Sequence, residues 1–171
     1  YSKRNMILGY LLTSTSEVYG NPPDNKLPTE ENYPGNVYSY GARSMYDESK
    51  RVEEAYCYAY RNYIPTRIAR IFNTFGPRID AKNPSQYGRV LIKFINQALK
   101  DQPITVYGDG SITRSFCYVN DQIVGLYKLL LTNDIDNAVV NIGNDKETSL
   151  KELAEKIKMI SGSKSEIIFN S

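Results

Sequence analysis

The chain has 171 residues, of which 41% are hydrophobic and 23% charged, as in a globular protein with the core of one ordinary domain. Its net charge is +2, and the basic residues are scattered among acids, so nothing argues for a nucleic-acid partner. The absence of histidine excludes a Ser-His-Asp triad or a histidine-bound metal within this sequence. No apolar run approaches membrane-spanning length, and the sequence leaves the compartment open.

The first predicted strand covers the apolar run at residues 8–13. It ends at a hydroxyl-rich segment that contains Thr15, Ser16 and Glu17. If the strand belongs to a parallel sheet, these residues lie at a carboxyl end, the edge at which open α/β sheets bind ligands. Residues 20–44 are rich in proline, asparagine and glycine, which predicts a long loop.

Residues 45–63 predict a helix with an apolar stripe formed by Val52, Ala55, Tyr56, Ala59 and Tyr60. A strand at 66–72, a loop at 73–87, a helix at 90–99 and a brief strand at 104–106 follow. Asn120 or Asp121 is expected to cap a helix at 120–131, and Thr148 or Ser149 one at 150–160. Late strands are predicted at 139–142 and 167–169. This alternation favours a parallel α/β sheet.

Cys57 and Cys117 fall in regular segments and are predicted to be buried thiols.

Tyr46 and Lys50 stand four residues apart in the predicted helix, so their side chains would share one face. An ammonium group beside a phenol favours the phenolate, which can accept a proton. With a hydroxyl from elsewhere, the pair could deprotonate an alcohol while a nicotinamide takes the hydride. A tyrosine four residues before a lysine is common by chance, so this interpretation depends on the upstream Ser/Thr-rich segment.

Three segments together resemble the extended short-chain dehydrogenase/reductases that act on nucleotide sugars. They are Leu-Leu-Thr-Ser-Thr-Ser-Glu-Val-Tyr-Gly at 11–20, Tyr-Asp-Glu-Ser-Lys-Arg at 46–51 and Ala-Arg-Ile-Phe-Asn-Thr-Phe-Gly-Pro-Arg at 69–78. Residues 105–110, 113–116 and 140–144 extend the match in family order. The resemblance implies an α/β fold: the C-terminal part of a Rossmann-like doubly wound sheet plus a small α/β substrate domain.

The resemblance also implies a division of the chain. Residues 1–75 would be the second half of the NAD-binding domain, and residues 76–171 mainly the sugar-nucleotide-binding region, with elements that return to the Rossmann sheet. The family's N-terminal glycine-rich phosphate loop has no counterpart in this sequence, so we expect the chain to correspond to the second half of the family's protein. Gly108-Asp109-Gly110 is too short for that loop and predicts a hairpin or tight turn.

Within the family, Thr15-Ser16-Glu17 matches the decarboxylases of UDP-glucuronate. The resemblance implies that UDP-glucuronate is converted to UDP-xylose through a 4-keto intermediate, with NAD regenerated in each turnover. Tyr46 would be the acid/base, and Lys50 would bind the nicotinamide ribose. Thr15 would contact the sugar 4-hydroxyl, Ser16 the carboxylate, and Glu17 the sugar or a water. A 4,6-dehydratase, a 4-epimerase and a catalytically silent UDP-sugar-binding protein remain as alternatives.

The remaining candidate residues would bind the UDP-sugar. The resemblance assigns Asn73 and Arg114 to the diphosphate, with Arg78 after the Gly-Pro turn as a further candidate; the planar arginine fork suits phosphate. Tyr107 would flank the uridine, and the backbone groups of Val90 and Leu91 would contact the base. No metal is expected. Family resemblance also implies a homodimer through the helix at 45–63.

Overall fold

The computed structural model describes Ile7 and residues 9–78 and 90–170. The chain divides into two compact units. The first unit holds the residues up to Thr74 together with Cys117–Asp145, and the second holds Phe75–Phe116 together with the residues from Lys146 onward. The part of the predicted loop between 79 and 87 lies outside the described residues.

The first unit is built on a parallel sheet of three strands, β1 (Tyr10–Thr15), β2 (Thr66–Ile71) and β7 (Val139–Ile142), in that order. The helices α1 (Ser44–Tyr60) and α3 (Val119–Leu131) also belong to this unit. Successive residues of β2 point to opposite faces of the sheet. Ile68 packs in a cluster with Cys57 of α1, and Ala69 packs in another with Leu129 of α3. Both faces of the sheet are therefore covered by a helix, as is usual for a parallel sheet.

The second unit contains α2 (Val90–Leu99), β4 (Ile104–Tyr107), β5 (Thr113–Ser115), β8 (Glu147–Ser149), α4 (Leu150–Ser161) and β9 (Ile167–Asn170). β4 pairs with β9 in parallel, and β5 pairs with β8 antiparallel. Phe94, Ile104 and Val106 are almost fully buried at the centre of this unit's core. The short strands β3 (Thr74–Phe75) and β6 (Cys117–Tyr118) complete the described set.

Several predicted elements are confirmed, among them the parallel sheet, the helix at 90–99 and the strand at 139–142. Ser149 caps α4 through a capping box with Glu152, as expected at this position. The prediction that Asn120 or Asp121 caps α3 is wrong. The helix begins at Val119 directly after β6, with Tyr118 in extended conformation at the N-cap and no side-chain cap bond. The antiparallel β5–β8 pair was not predicted.

The limits of two elements near the proposed site also differ from prediction. The first strand was predicted to end at residue 13, but β1 continues to Thr15 because Thr15 still pairs with Ile71 of β2. The helix predicted to reach residue 63 ends at Tyr60, where Arg61 is the C-cap. Cys57 and Cys117 are confirmed as free, buried thiols.

The apolar stripe of α1 lies on the exposed side of the helix. Val52, Tyr56 and Tyr60 are each more than half exposed among the described residues. The side turned towards the sheet instead carries buried Cys57 and partly buried charged residues, among them Lys50 and Glu54. The sheet side of α1 is therefore unusually polar, and its contacts matter for the site.

Candidate active site

Thr15 is the last residue of β1 and only 8% exposed. Its Oγ1 accepts a hydrogen bond of 3.3 Å from the backbone N–H of Glu17 and caps a short 3-10 turn at Ser16–Tyr19. The chain turns here because the strand ends in a hydroxyl residue, whose oxygen can accept a backbone N–H near the start of the turn. A hydroxyl that accepts one bond can still donate its own hydrogen, so this cap does not remove Thr15 from the chemistry.

Tyr46 and Lys50 lie in the first half of α1, which packs against β1 and the 3-10 turn. Lys50 Nζ donates to the carbonyl oxygen of Thr13 at 3.2 Å and to Glu53 Oε2 at 2.8 Å. The lysine is thereby tied to the strand that ends at Thr15. The Tyr46 side chain is nearly half exposed among the described residues, so its hydroxyl is accessible to a ligand at this edge.

Glu17 is joined to the start of α1 by an ion pair that the sequence interpretation missed. Arg43 Nη2 lies 3.3 Å from Glu17 Oε2, and the Arg43 guanidinium also lies 5.7 Å from the centre of the Tyr46 ring. Arg43 therefore lies beside both Glu17 and Tyr46. Because both members of the pair are more than 40% exposed, we expect it to orient Glu17 rather than to stabilise the fold.

Asn73 follows β2 at the same edge of the sheet. It stands two residues beyond Ile71, the residue that pairs with Thr15. Its carbonyl oxygen accepts the N–H of Cys117 at 3.1 Å, which fixes the backbone of the loop after β2. The first unit thus places Thr15, Ser16, Glu17, Tyr46, Lys50 and Asn73 around the carboxyl ends of β1 and β2.

In the second unit, Tyr107 and Arg114 lie on either side of one tight turn. Tyr107 is the last residue of β4 and is 62% exposed, and Lys93 Nζ lies 4.3 Å from the centre of its ring. Arg114 lies in β5 and is exposed, with Nη1 donating to the carbonyl oxygen of Thr113 at 2.8 Å. Gly108 and Gly110 both have positive φ, and β4 pairs with β9 rather than with β5, so these glycines form a tight turn rather than a hairpin.

The other candidate residues of the second unit are Arg78, Val90 and Leu91. Arg78 has a φ of 68°, a left-handed conformation that is uncommon outside glycine, and its side chain is exposed. Val90 and Leu91 begin α2, and their side chains pack against the Phe94 core. The first four N–H groups of a helix have no partner within it, so this end can offer backbone donors to a base.

A polar network behind Thr15 also escaped the sequence interpretation. Its members are the side chains of Ser14, Tyr19, Glu54, Arg70 and Asn141. Two signals could have revealed it. Glu54 continues the Tyr46–Lys50 stripe by one further turn, and Arg70 is a charge within the central strand, where an arginine needs a partner.

Two ionisable groups in this network have shifted pKa values. Burial raises the pKa of the Tyr19 phenol, while the hydrogen bond from Arg70 opposes that shift. Burial alone would lower the pKa of Arg70, but its hydrogen bonds with Glu54 and Tyr19 outweigh burial and raise it above the ordinary value. Arg70 is therefore a permanent cation at this position.

A cavity of about 380 Å³ lies beside α1 over β2 and β7, and Arg51, Glu54, Tyr58 and Arg70 are among its lining residues. Thr15, Tyr46 and Lys50 do not line it, so it is distinct from the predicted site. Within the described ranges, no three or more cysteine, aspartate or glutamate side chains are grouped to hold a metal ion. The described helices are also too short or too polar to cross a membrane.

Comparison with known proteins finds relatives that match most of this chain. The chain is 47% identical over 163 residues to UDP-glucuronic acid decarboxylase 1 of Xenopus tropicalis, a match that covers 94% of this chain and 37% of the relative. Among solved structures, a UDP-N-acetylglucosamine 4-epimerase from Methanobrevibacter ruminantium M1 matches 99% of this chain and 52% of its own, with a TM-score of 0.85 and 28% identity.

A second solved structure is the UDP-glucuronic acid 4-epimerase of Bacillus cereus in complex with NAD. It has a TM-score of 0.74 and 29% identity, over 99% of this chain and 52% of that chain. The chain thus spans about half the length of these solved proteins and little more than a third of the Xenopus relative. Residues 2–143 match the NAD dependent epimerase/dehydratase family, and the chain belongs to that family.

Proposed function

We propose that the protein containing this chain decarboxylates UDP-glucuronate to UDP-xylose. The observation that carries the proposal is Thr15-Ser16-Glu17 at the carboxyl end of β1, beside the helix that presents Tyr46 and Lys50. The 47% identity to a UDP-glucuronic acid decarboxylase supports the same substrate.

The proposed roles come from the family resemblance, and the positions of the side chains support them. Tyr46 accepts the proton of the sugar 4-hydroxyl, and Thr15 hydrogen-bonds that hydroxyl. Once C4 is a ketone, the C6 carboxylate is that of a β-keto acid, and the electrons left by departing carbon dioxide are stabilised as an enolate. Ser16 hydrogen-bonds the carboxylate, and Glu17, held by Arg43, orders the sugar or a water. A proton then returns to C5 and another to the oxygen at C4.

The residues fit the nicotinamide end of NAD. Lys50 is anchored by Thr13 and Glu53 on the same helical stripe as half-exposed Tyr46, at the sheet edge where α/β folds bind ligands. Lys50 would bind the nicotinamide ribose there, and Tyr46 would flank it. When bound, NAD supplies the hydride acceptor and donor for C4 and is regenerated in each turnover.

The remaining candidate residues are assigned to the UDP part of the substrate. Asn73 and Arg114 would bind the diphosphate, and Arg78 would add a third group. The exposed ring of Tyr107 offers a face for the uracil, and the first N–H groups of α2 at Val90 and Leu91 offer donors. These assignments rest on the exposure of each group within its own unit and on the chemistry of arginine with phosphate.

The second candidate function is 4-epimerisation of UDP-glucuronate. It is favoured by the likeness to the UDP-glucuronic acid 4-epimerase of Bacillus cereus, whose name gives the same substrate. Both reactions use the same oxidation at C4 and differ in whether the C6 carboxylate is lost. The two hypotheses differ in the roles of Ser16, which hydrogen-bonds this carboxylate in our proposal, and of Glu17, which orders the sugar or a water.

The test uses the intact protein, NAD and UDP-glucuronate carrying a carbon label in its carboxylate, in heavy water. We expect a UDP-pentose, release of the label as carbon dioxide, and one deuterium at C5. A product of unchanged mass that separates from the substrate on chromatography would instead establish the epimerase. Binding of UDP-glucuronate by calorimetry without turnover of any nucleotide sugar would leave a silent binding protein.

We further infer that the exposed stripe of α1 is the contact surface of a homodimer. Val52, Ala55, Tyr56, Ala59 and Tyr60 form an apolar helix face that is exposed among the described residues. Contiguous exposed apolar faces of this kind mark interfaces, and two copies of one helix face can pair around a two-fold axis.

Val52→Glu in the intact protein would place two like charges across that axis. We expect sedimentation velocity to show a monomer for this variant and a dimer for the unchanged protein. Met159→Glu is the matched control, since Met159 is an exposed apolar residue (74%) on a different helix, α4. A dimer that survives Val52→Glu would remove this face from the interface.

A further inference from the structure

Tyr46, Lys50 and Glu54 follow one another at four-residue spacing and form one stripe along α1. Two members of this stripe bind successive residues of β1. Lys50 Nζ donates to the carbonyl oxygen of Thr13 at 3.2 Å, and Glu54 Oε1 accepts the hydroxyl hydrogen of Ser14 at 2.6 Å. Both contacts lie directly before Thr15, so α1 is fixed in register against the end of the strand.

The Glu54 carboxylate is held from a second side by Arg70 of β2. Arg70 Nε lies 3.0 Å from Oε1 and Nη2 lies 2.6 Å from Oε2, a two-pronged pair between side chains that are 12% and 13% exposed. Paired charge-assisted hydrogen bonds of this kind fix orientation as well as adding energy. Glu54 therefore joins the helix that carries Tyr46 to two neighbouring strands at once.

The network continues beyond Thr15. Arg70 Nη1 donates to the Tyr19 hydroxyl at 2.9 Å, and that hydroxyl donates to Asn141 Oδ1 at 2.7 Å. Tyr19 ends the 3-10 turn, so the turn that contains Ser16 and Glu17 is bound at both ends, through Ser14 before it and Tyr19 after it. The same few side chains thus fix the strand end, the turn and the helix.

A buried ion pair is weak evidence for stability, because desolvation offsets most of the attraction. Apolar residues of similar volume could fill this space without loss of stability, yet they could not fix the position of Ser14 relative to α1. What the pair supplies here is geometry. Reactions between positioned groups are sensitive to such geometry, since a misplacement of about 1 Å can cost about 100-fold in rate.

We propose that Glu54 is a positioning residue for chemistry at C4 of the nucleotide sugar, setting through Ser14 and Arg70 the approach of Tyr46 to Thr15. This inference rests on the proposed function in one respect, the use of Tyr46 and Thr15 on a sugar 4-hydroxyl. It holds equally for decarboxylation and for 4-epimerisation, because both begin with that step.

The test compares Glu54→Gln, Ser14→Ala and the double variant in the intact protein with UDP-glucuronate and NAD. We expect kcat to fall about 10- to 100-fold in Glu54→Gln, and less in Ser14→Ala, with KM nearly unchanged. Glutamine has one acceptor oxygen and cannot make all the bonds that the two carboxylate oxygens of Glu54 make with Ser14 and Arg70. The double variant should resemble Glu54→Gln alone, because both changes disrupt the same network. The pH at which kcat reaches half its plateau should also shift in these variants.

Glu48→Gln is the matched control, because Glu48 lies on the same helix and its ion pair with Arg51 is longer, at 3.7 Å, between side chains that are 40% and 38% exposed. It should keep the kcat and pH profile of the unchanged protein. Glu54→Gln removes the counter-charge of buried Arg70 and could leave too little folded protein to assay. In that case Ser14→Ala alone tests the proposal, since it keeps the ion pair. Rates are divided by the folded fraction from circular dichroism.

Unchanged kcat and pH profile per folded molecule in Ser14→Ala and Glu54→Gln would overturn the proposal and leave a structural pair. Additive effects in the double variant would also overturn it. A product other than UDP-pentose would contradict the proposed function. It would not contradict this inference, because the inference is tested by the change in kcat and not by the identity of the product. An unchanged protein that turns over no nucleotide sugar would overturn both.

Discussion

Lys50 Nζ lies 3.2 Å from the carbonyl oxygen of Thr13, two residues before Thr15. The lysine is thus bound to the backbone of β1, and Glu53 holds it from the helix side at 2.8 Å. The Lys50 side chain is only 21% exposed, and its ammonium group is bound on two sides. We therefore expect this ammonium group to keep a fixed position one helical turn from Tyr46. That fixed position is what a proton-transfer site requires.

Tyr46→Phe should lower kcat by about 100- to 10,000-fold, because it removes only the proton acceptor. UDP affinity, measured by calorimetry, should be unchanged, since the ring remains in place. Tyr58→Phe is the matched control on the same helix, with a ring that packs under Arg61. If Tyr46→Phe retained turnover, or lost UDP binding, Tyr46 would be structural.

Arg114→Ala should weaken UDP-sugar binding about 10- to 100-fold, the magnitude of one or two charge-assisted hydrogen bonds. NAD binding should stay the same, because Arg114 is assigned to the diphosphate of the sugar nucleotide. Calorimetric titration with UDP and with NAD separates the two effects. Lys156→Ala removes a cation from the exposed side of α4 and serves as the control. Equal UDP affinity in both variants would exclude Arg114 from the site.

Ser149→Ala should destabilise the fold by about 1 kcal/mol in urea unfolding, because the hydroxyl caps the N–H of Glu152. Glu155→Gln, on the exposed side of α4 and outside the capping box, is the comparison for a surface change. A loss of stability equal in both variants would contradict the role of the cap.

The other half of the capping box should respond to acid. The backbone N–H and the hydroxyl of Ser149 hold the pKa of Glu152 below its ordinary value of 4.5. Because the folded pKa is lowered, the contribution of Glu152 is present above about pH 4.5 and is lost as pH falls through the lowered value. The stability difference between the unchanged protein and Glu152→Gln should therefore shrink below pH 4.5. A difference that stays constant there would disprove the linkage.

Cys57 and Cys117 should react slowly with iodoacetamide in the native protein and rapidly in denaturant. Burial raises the pKa of both thiols, with nearby acids adding to the shift, and the reactive form is the thiolate. Peptide mass spectrometry measures each cysteine separately. Fast native modification of Cys57 would mean that α1 opens from the sheet, because Cys57 is buried against Leu12 and Ile68.

Local sequence patterns predicted many of the helices and strands. Strands were predicted at 66–72 and 139–142, close to the observed β2 and β7. Thr148-Ser149 before an amphipathic segment predicted the start of α4, because such signals depend only on nearby residues. The cap of α3 was missed for the opposite reason. Tyr118 is the N-cap residue because β6 runs directly into the helix, and its side chain makes no capping hydrogen bond.

The sequence by itself determined the residue types at the proposed site, because the four-residue spacing of Tyr46 and Lys50 and the order Thr15-Ser16-Glu17 are local facts. Only the tertiary structure decided what holds them. Glu54 and Arg70 are 16 residues apart and Tyr19 and Asn141 are 122 apart, so their pairing depends on which strands the fold makes neighbours. The exposure of the α1 stripe was likewise decided by packing, because periodicity identifies an apolar face but does not say what covers it.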